Sequence, residues 1–163
     1  DGNNKEWVNT DHALFVGEKS QVQGTLRCSC DDKNVYFLVE VLDRSLLRGD
    51  YATVYLSPDD SKSLTNGAKR IQVSMDGLKS TETYAGKWNN AEMGVEVKTY
   101  VCNDTNEDRI DNYGYIAEIS VPRSSLTISS GQVLVNFSIT DNKEEEAVSD
   151  VSSISRWIPV AGL

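Results

Sequence analysis

The stretch that decides the fold is NVYFLVEVLDRSLLRGDYATVYLSPDD, residues 34–60. Two apolar runs rich in Val, Leu and Tyr flank a polar segment that holds Arg44, Arg48, Gly49 and Asp50. Lengths of seven to ten residues, β-branched and aromatic content and the intervening turn residues read as strand, loop, strand. The first run ends on an acid, Asp43, and the second opens on another, Asp50. Acids at strand ends serve as metal ligands, as loop caps, or as charges that deter pairing of exposed strand edges.

The same period of two recurs outward from this segment. Val95, Val97, Thr99 and Val101 alternate with Glu96, Lys98 and Tyr100, and Tyr115, Ala117, Ile119 and Val121 with Ile116, Glu118 and Ser120. Ile71, Val73 and Met75 alternate with Arg70, Gln72, Ser74 and Asp76; Val133, Val135, Phe137 and Ile139 alternate with Gln132, Asn136, Ser138 and Thr140. Further strands are expected near 13–17, 22–30, 35–42, 51–57 and 154–160, separated by polar clusters such as SPDDSKSLTNG and CNDTNEDRIDNYG. Helical turns fit only PRSSL and DNKEEEAVSD. Many short strands without a long helical pattern predict an all-β chain, an antiparallel β-sandwich of jelly-roll type with about nine or more strands and little helix. No internal repeat and no low-complexity linker interrupts residues 1–163, so a single domain is expected.

Charge narrows the partners. With 25 acidic and 16 basic residues the formal charge is -9, which repels nucleic acid phosphates and anionic membranes and leaves neutral, cationic or metallic ligands. No run of 18 apolar residues is present, and the opening DGNNKEW has neither a basic nor an apolar leader region, so no membrane span or signal peptide is expected. Three cysteines make an odd set. Cys28 and Cys30 fall on one strand face, where a bond between them would be strained, while Cys102 could pair with either; three unpaired, partly buried thiols is the plainer reading. No second pair or nearby His supports a zinc site.

Taken in order, DGNNKEW, VYFLVEVLDRSL, DYATVYLSPDD, KRIQVSMDG, NYGYIAEISVPRSSL and QVLVNFSITDN resemble family 9 carbohydrate-binding modules and the related sugar- or haem-binding DOMON-like sandwiches. The most specific pieces are LVEVLD followed by DYATVYLS, and the signature Gly114, Tyr115, Glu118, Pro122. The resemblance implies a non-catalytic module of a secreted, bacterial polysaccharide-active protein, commonly with structural calcium. It would place the family's sugar clamp, a tryptophan before the second strand, a tryptophan near the C-terminus and a Glu, an Arg and a Gln on strands, at Leu47, Trp157, Thr53, Gln72 and Ser138. Among these five positions only Trp157 keeps the residue that the clamp requires, so the resemblance carries over the fold and a binding role but not the family's sugar specificity.

A sugar presents C–H patches on its faces and hydroxyls at its rim, so its site needs an aromatic plane beside side chains with both donors and acceptors. Trp88, in the polar stretch AGKWNNAE, fits a stacking residue or a cover for one end of the sandwich; Trp157, in SISRWIPV, fits either role too, and Trp7 a core or capping one. Tyr55, Arg70, Gln72, Ser74, Asn136 and Ser138 fall on strand faces opposite the core, as ligand contacts or as ordinary wet surface. Asp104, Asn106, Asp108 and Asp111 offer oxygens at calcium-loop spacing, but without the Gly and Glu that complete such a loop, so an acidic turn competes; Asp59 with Asp60, and Asp43 with Asp50, are rival clusters. No GxSxG, HExxH or phosphate loop is present, and pairs such as Glu40 and Glu118 imply no glycosidase site. The lone His12 fits a structural or surface role, and its combination with Met75 or Met93 as a haem pair has no support from their surroundings. The expected function is binding of an oligo- or polysaccharide beside an adjacent catalytic domain, the alternative a sandwich that packs on that domain without binding sugar.

Overall fold

The computed structural model describes residues 7, 13–17, 22–43, 46–58, 64–103, 112–128, 132–141, 149–152 and 158–160. Among them are twelve strands in two antiparallel sheets. One contains β1 (Ala13–Val16), β2 (Val22–Cys30), β3 (Asn34–Asp43), β9 (Asn112–Pro122) and β8 (Glu96–Asn103), in the order β1-β2-β3-β9-β8. The other runs β11 (Ser149–Ser152), β10 (Leu134–Asp141), β4 (Tyr51–Ser57), β5 (Lys69–Ser74), β6 (Gly77–Tyr84) and β7 (Trp88–Asn90), with β12 (Ile158–Pro159) also paired to β10. The expected antiparallel sandwich is thus observed. PRSSL does carry a helical turn, a 3-10 turn over Arg123–Ser125.

Alternation is the reason for the architecture. On β3 the side chains of Val35, Phe37, Val39 and Val41 are buried, and on β9 so are Tyr115, Ala117, Ile119 and Val121, each facing the matching set of the other sheet: Ala52, Val54, Leu56, Ile71, Val73, Val135, Phe137 and Ile139. Each of the larger of these side chains contributes about 1.5–3 kcal/mol when fully buried, and only the two-layer arrangement buries all of them at once. Gly24 on β2 faces this core because a Cβ there would stand 2.5 Å from Ile139 Cδ1 and 3.0 Å from Phe137 Cε1. Gly114 on β9 has φ +123°, and a Cβ there would lie 1.8 Å from the Val41 carbonyl oxygen, so only glycine fits between β3 and the irregular end of β8.

The cysteines resolve as unpaired thiols. Cys28 points into the core, whereas Cys102 lies on the outer face of the same sheet, so the pairing left open for Cys102 is excluded by the pleat. Trp7 is buried, its carbonyl accepting a hydrogen bond from Arg27 Nη1 at 3.5 Å, which agrees with a capping role. Three strands have no counterpart in the sequence reading: β6, β7 and β11. The first two matter most, because they extend the second sheet beyond β5 and carry part of the site.

Candidate functional site

The outer face of the second sheet is built in rows set by strand register. Asn136, Tyr55, Arg70, Glu82 and Asn90 lie side by side across β10, β4, β5, β6 and β7; the next row is Ser138, Thr53, Gln72 and Ser80. Trp88 pairs with Tyr84 across the β6–β7 hairpin, next to the first row. Since successive side chains alternate, Ala52, Val54, Ile71 and Val73 feed the core while these polar and aromatic residues share the opposite face.

Five side chains converge there. The Arg70 guanidinium carbon sits 4.5 Å from the centroid of the Trp88 ring, and its Nε donates to Glu82 Oε2. Tyr84 meets Trp88 edge-on at 5.3 Å between centroids, and Tyr55 lies tilted at 6.2 Å. The side chains of Arg70 and Glu82 retain 23% and 13% of their exposure, enough to meet a ligand and too little to be freely rotating. The pair is charge-compensated, and it sets donors beside acceptors against an aromatic plane, the combination that polyhydroxylated rings require. In the second row Ser80 Oγ donates to Gln72 Oε1 at 2.9 Å and Gln72 Nε2 donates to Thr53 Oγ1 at 3.4 Å. That leaves the Gln72 amide one N–H and one acceptor site.

Trp88, Tyr55, Arg70 and Gln72, proposed from sequence, therefore share one surface. Asn136 and Ser138 lie on the same face but, contrary to their expected wet position, are buried. Asn136 Oδ1 accepts from the Phe137 N–H at 2.8 Å, and the Ser138 hydroxyl donates to the Tyr55 hydroxyl oxygen at 3.4 Å. Ser138 thereby contacts Tyr55 at the border of the site. Trp157 lies outside the described residues, as do Asp104, Asn106, Asp108 and Asp111, Asp59 with Asp60, and His12. Glu82 and Tyr84 were missed; the hairpin TETYAGKW, with a turn between two aromatics, is the signal that could have found them.

A second cluster answers the puzzle of acids at strand ends. Asp43 closes β3, Asp50 precedes β4 and Asp141 closes β10; all three are buried, with one carboxylate oxygen of each within 4.8 Å of the others. Asp50 is positioned by its own turn, where Leu47 N donates to Asp50 Oδ2 at 2.6 Å and Asp50 N donates to the Leu47 carbonyl at 3.1 Å. Tyr115, whose hydroxyl donates to the Val73 carbonyl at 3.2 Å, has its phenol ionisation pushed far up by burial, and the negative charges of Asp50 and Asp43 push it further. Of these acids the sequence had marked Asp43 and Asp50; Asp141, nearly a hundred residues away, joins them only because β10 pairs with β4.

Residues 3–160 match the family described as "Carbohydrate family 9 binding domain-like". The chain belongs to this family. Endo-1,4-beta-xylanase C of Paenibacillus barcinonensis is 30% identical over 121 residues, which are 74% of this chain and 10% of that protein. The chain thus spans about a tenth of the length of that curated relative. Among solved structures, a family 9 carbohydrate-binding module from Caldicellulosiruptor kristjanssonii in complex with cellotriose superposes with TM-score 0.64 at 15% identity, covering 93% of this chain and 76% of that one. The glucose complex of a family 9 module from the same organism gives 0.63 at 16%, covering 93% and 78%. At such identities these two establish the shared family 9 fold.

Proposed function

We propose that this family 9 domain is a non-catalytic carbohydrate-binding module of a secreted bacterial polysaccharide-active protein, and that it holds a neutral glycan on the outer face of its second sheet. A sugar ring stacks on the part of Trp88 that Arg70 leaves uncovered. Arg70, Glu82 and Gln72 meet the rim hydroxyls, and Tyr55 borders the ring. The observation that carries this reading is the Arg70–Glu82 pair lying against Trp88, which unites donor, acceptor and ring without net charge. It favours an uncharged ligand, as does a chain of formal charge -9 that repels polyanions. One tryptophan face, at most about half of its ~150–250 Å², yields roughly 2–3 kcal/mol at ~25 cal/mol/Å². Association costs ~4–15 kcal/mol, so the hydrogen bonds are needed and micromolar to millimolar affinity follows. Weak binding of this kind serves a module whose linkage to an adjacent catalytic domain raises the effective concentration of substrate. Calorimetric titration with xylo- and cello-oligosaccharides, the ligand types suggested by the xylanase relative and the cellotriose complex, tests it. Saturable binding that is lost on Arg70→Ala supports it; silence towards both series contradicts it.

The Asp43, Asp50 and Asp141 cluster suits a structural calcium ion. Its donors are all oxygens, which calcium prefers, and three carboxylates crowded away from water repel one another unless a cation offsets them. Held there, a divalent ion would tie the end of β3 in one sheet to β4 and β10 in the other. A second role for the domain is favoured by the outer face of the first sheet, where Phe15, Leu42 and Tyr100 are each more than half exposed: packing against the neighbouring domain.

A further inference from the structure

We infer that the ligand site does not end at Trp88 but continues along β5 to a second aromatic subsite at Tyr51 and Lys79, so that the domain binds an internal run of sugar rings in a linear polysaccharide. The inference rests on the glycan-binding reading above and adds the length and direction of the ligand to it.

Tyr51 and Tyr55 lie on the same outward face of β4, four residues apart, which at ~3.4 Å per residue separates them by about 14 Å. A single pyranose ring cannot cover that span. On β4 itself Thr53, between the two tyrosines, is buried, so the accessible polar track runs beside it on β5, where Arg70, Gln72 and Ser74 occupy alternate positions, all half-buried, with Ser80 bound to Gln72. The track therefore presents an aromatic ring at each end and hydrogen-bonding groups along its length.

The far end is constructed by a backbone irregularity. Strict alternation on β6 would send Lys79, the neighbour of outward-facing Ser80, towards the core. Instead the register between β5 and β6 shifts at Gln72/Val73, where Gln72 pairs with Ser80 but Val73 pairs with Leu78, leaving Lys79 as the extra residue. Such bulges re-aim a side chain, and here the Lys79 ammonium comes to lie 4.7 Å from the centroid of the Tyr51 ring. Lys79 is exposed and makes no salt bridge among the described residues, in contrast to Arg70, which is compensated by Glu82. Tyr51 and Lys79 thus form an amphipathic platform with a free donor, of the same chemistry as the Trp88 end and aligned with it along one strand direction. A site that reads successive rings along its length has no need of a chain end.

The test is calorimetry on the intact domain with xylose, xylobiose and xylotetraose, the matching glucose series, and the tetrasaccharides after borohydride reduction of their terminal ring. Affinity should rise by about tenfold or more from the monosaccharide to the tetrasaccharide as the second ring is engaged. Reduction of the end should leave tetrasaccharide affinity unchanged. Tyr51→Ala should weaken tetrasaccharide binding more than disaccharide binding, and Tyr51→Phe, which keeps the ring, should restore the difference. Equal affinity for one ring and four, loss of binding on reduction, or a length dependence that survives Tyr51→Ala would overturn the extended site while leaving glycan binding intact. Failure to bind any of these sugars overturns both this inference and the reading on which it rests.

Discussion

Replacing Trp88 by alanine tests the site at its centre. In the free domain Arg70 lies over this ring, Tyr84 meets it in a T-shaped pair and Tyr55 lies tilted beside it, and the ring is half-buried before any ligand arrives. Of the ~75–125 Å² that one tryptophan face offers, roughly half to all remains for a sugar, which at ~25 cal/mol/Å² amounts to about 1–3 kcal/mol. That corresponds to roughly five- to a hundredfold weaker binding, since every 1.4 kcal/mol is a factor of ten. The substitution also frees Arg70 from its aromatic support, worth about 0.5–2 kcal/mol, so the guanidinium would be held by Glu82 alone and less well aimed. Isothermal titration with the best oligosaccharide gives the affinity, and urea denaturation separates it from stability. Trp88 lies on a three-residue strand at one end of its sheet, so the domain should still unfold in a single transition with at most about 2 kcal/mol lost. A folded Trp88→Ala protein that binds within a factor of two of the parent would refute the stacking role and, with it, the assignment of this face.

Other consequences are open to simpler measurements. If calcium occupies the carboxylate cluster at a concentration 100 times its Kd, it stabilises by about 2.7 kcal/mol, and for a domain of this size that raises Tm by roughly 5–10 °C; chelation should reverse the shift and Asp141→Asn should abolish it, whereas a Tm indifferent to both would argue against a metal. Gly114→Ala, which drives a methyl group against the Val41 carbonyl in a backbone region that side chains avoid, should cost more than about 3 kcal/mol in urea denaturation or prevent folding; a near-neutral effect would mean that β3 and β9 do not meet there as described. Asp31 accepts hydrogen bonds from the Asn34 and Lys33 amides, each at 2.7 Å, and from the Tyr36 hydroxyl at 2.8 Å, and the two amides followed by the hydroxyl hold its carboxyl below the usual range. Because the folded state favours the ionised form, its contribution is present above the ordinary carboxylate pKa and fades as pH falls through the lowered value. Carboxyl NMR titration should place Asp31 below an unstructured aspartate, and Asp31→Asn should flatten this part of the acid limb of stability; an ordinary titration would remove the basis for the turn.

What could be read from sequence depended on contrast between faces. On β5, β9 and β10 one face is apolar and the other largely polar, and alternation placed both the strands and their directions correctly. On β6, GLKSTETY, none of the residues is fully buried, so neither face carries an apolar signature and the strand went unseen. β7 is only three residues long, too short for any period to register. The site shared this fate. Trp88, Tyr55, Arg70 and Gln72 could be nominated from polar context and strand parity, but Glu82 and Tyr84 depended on recognising β6. Asp141 could join Asp43 and Asp50 only through the pairing of β10 with β4, a long-range contact that no local pattern encodes. Asn136 and Ser138 were placed on the correct face with the wrong exposure, since parity fixes direction and says nothing about what lies above a side chain.

Chemical-shift mapping on the isotopically labelled domain locates the sugar site residue by residue. During titration with xylo- or cello-oligosaccharide, the Trp88 indole N–H, the Arg70 Nε–H and the backbone amides of β4 to β7 should move saturably while those of β1, β2 and β8 stay in place. Shifts confined to the outer face around Phe15, Leu42 and Tyr100, or none at saturating sugar, would contradict it.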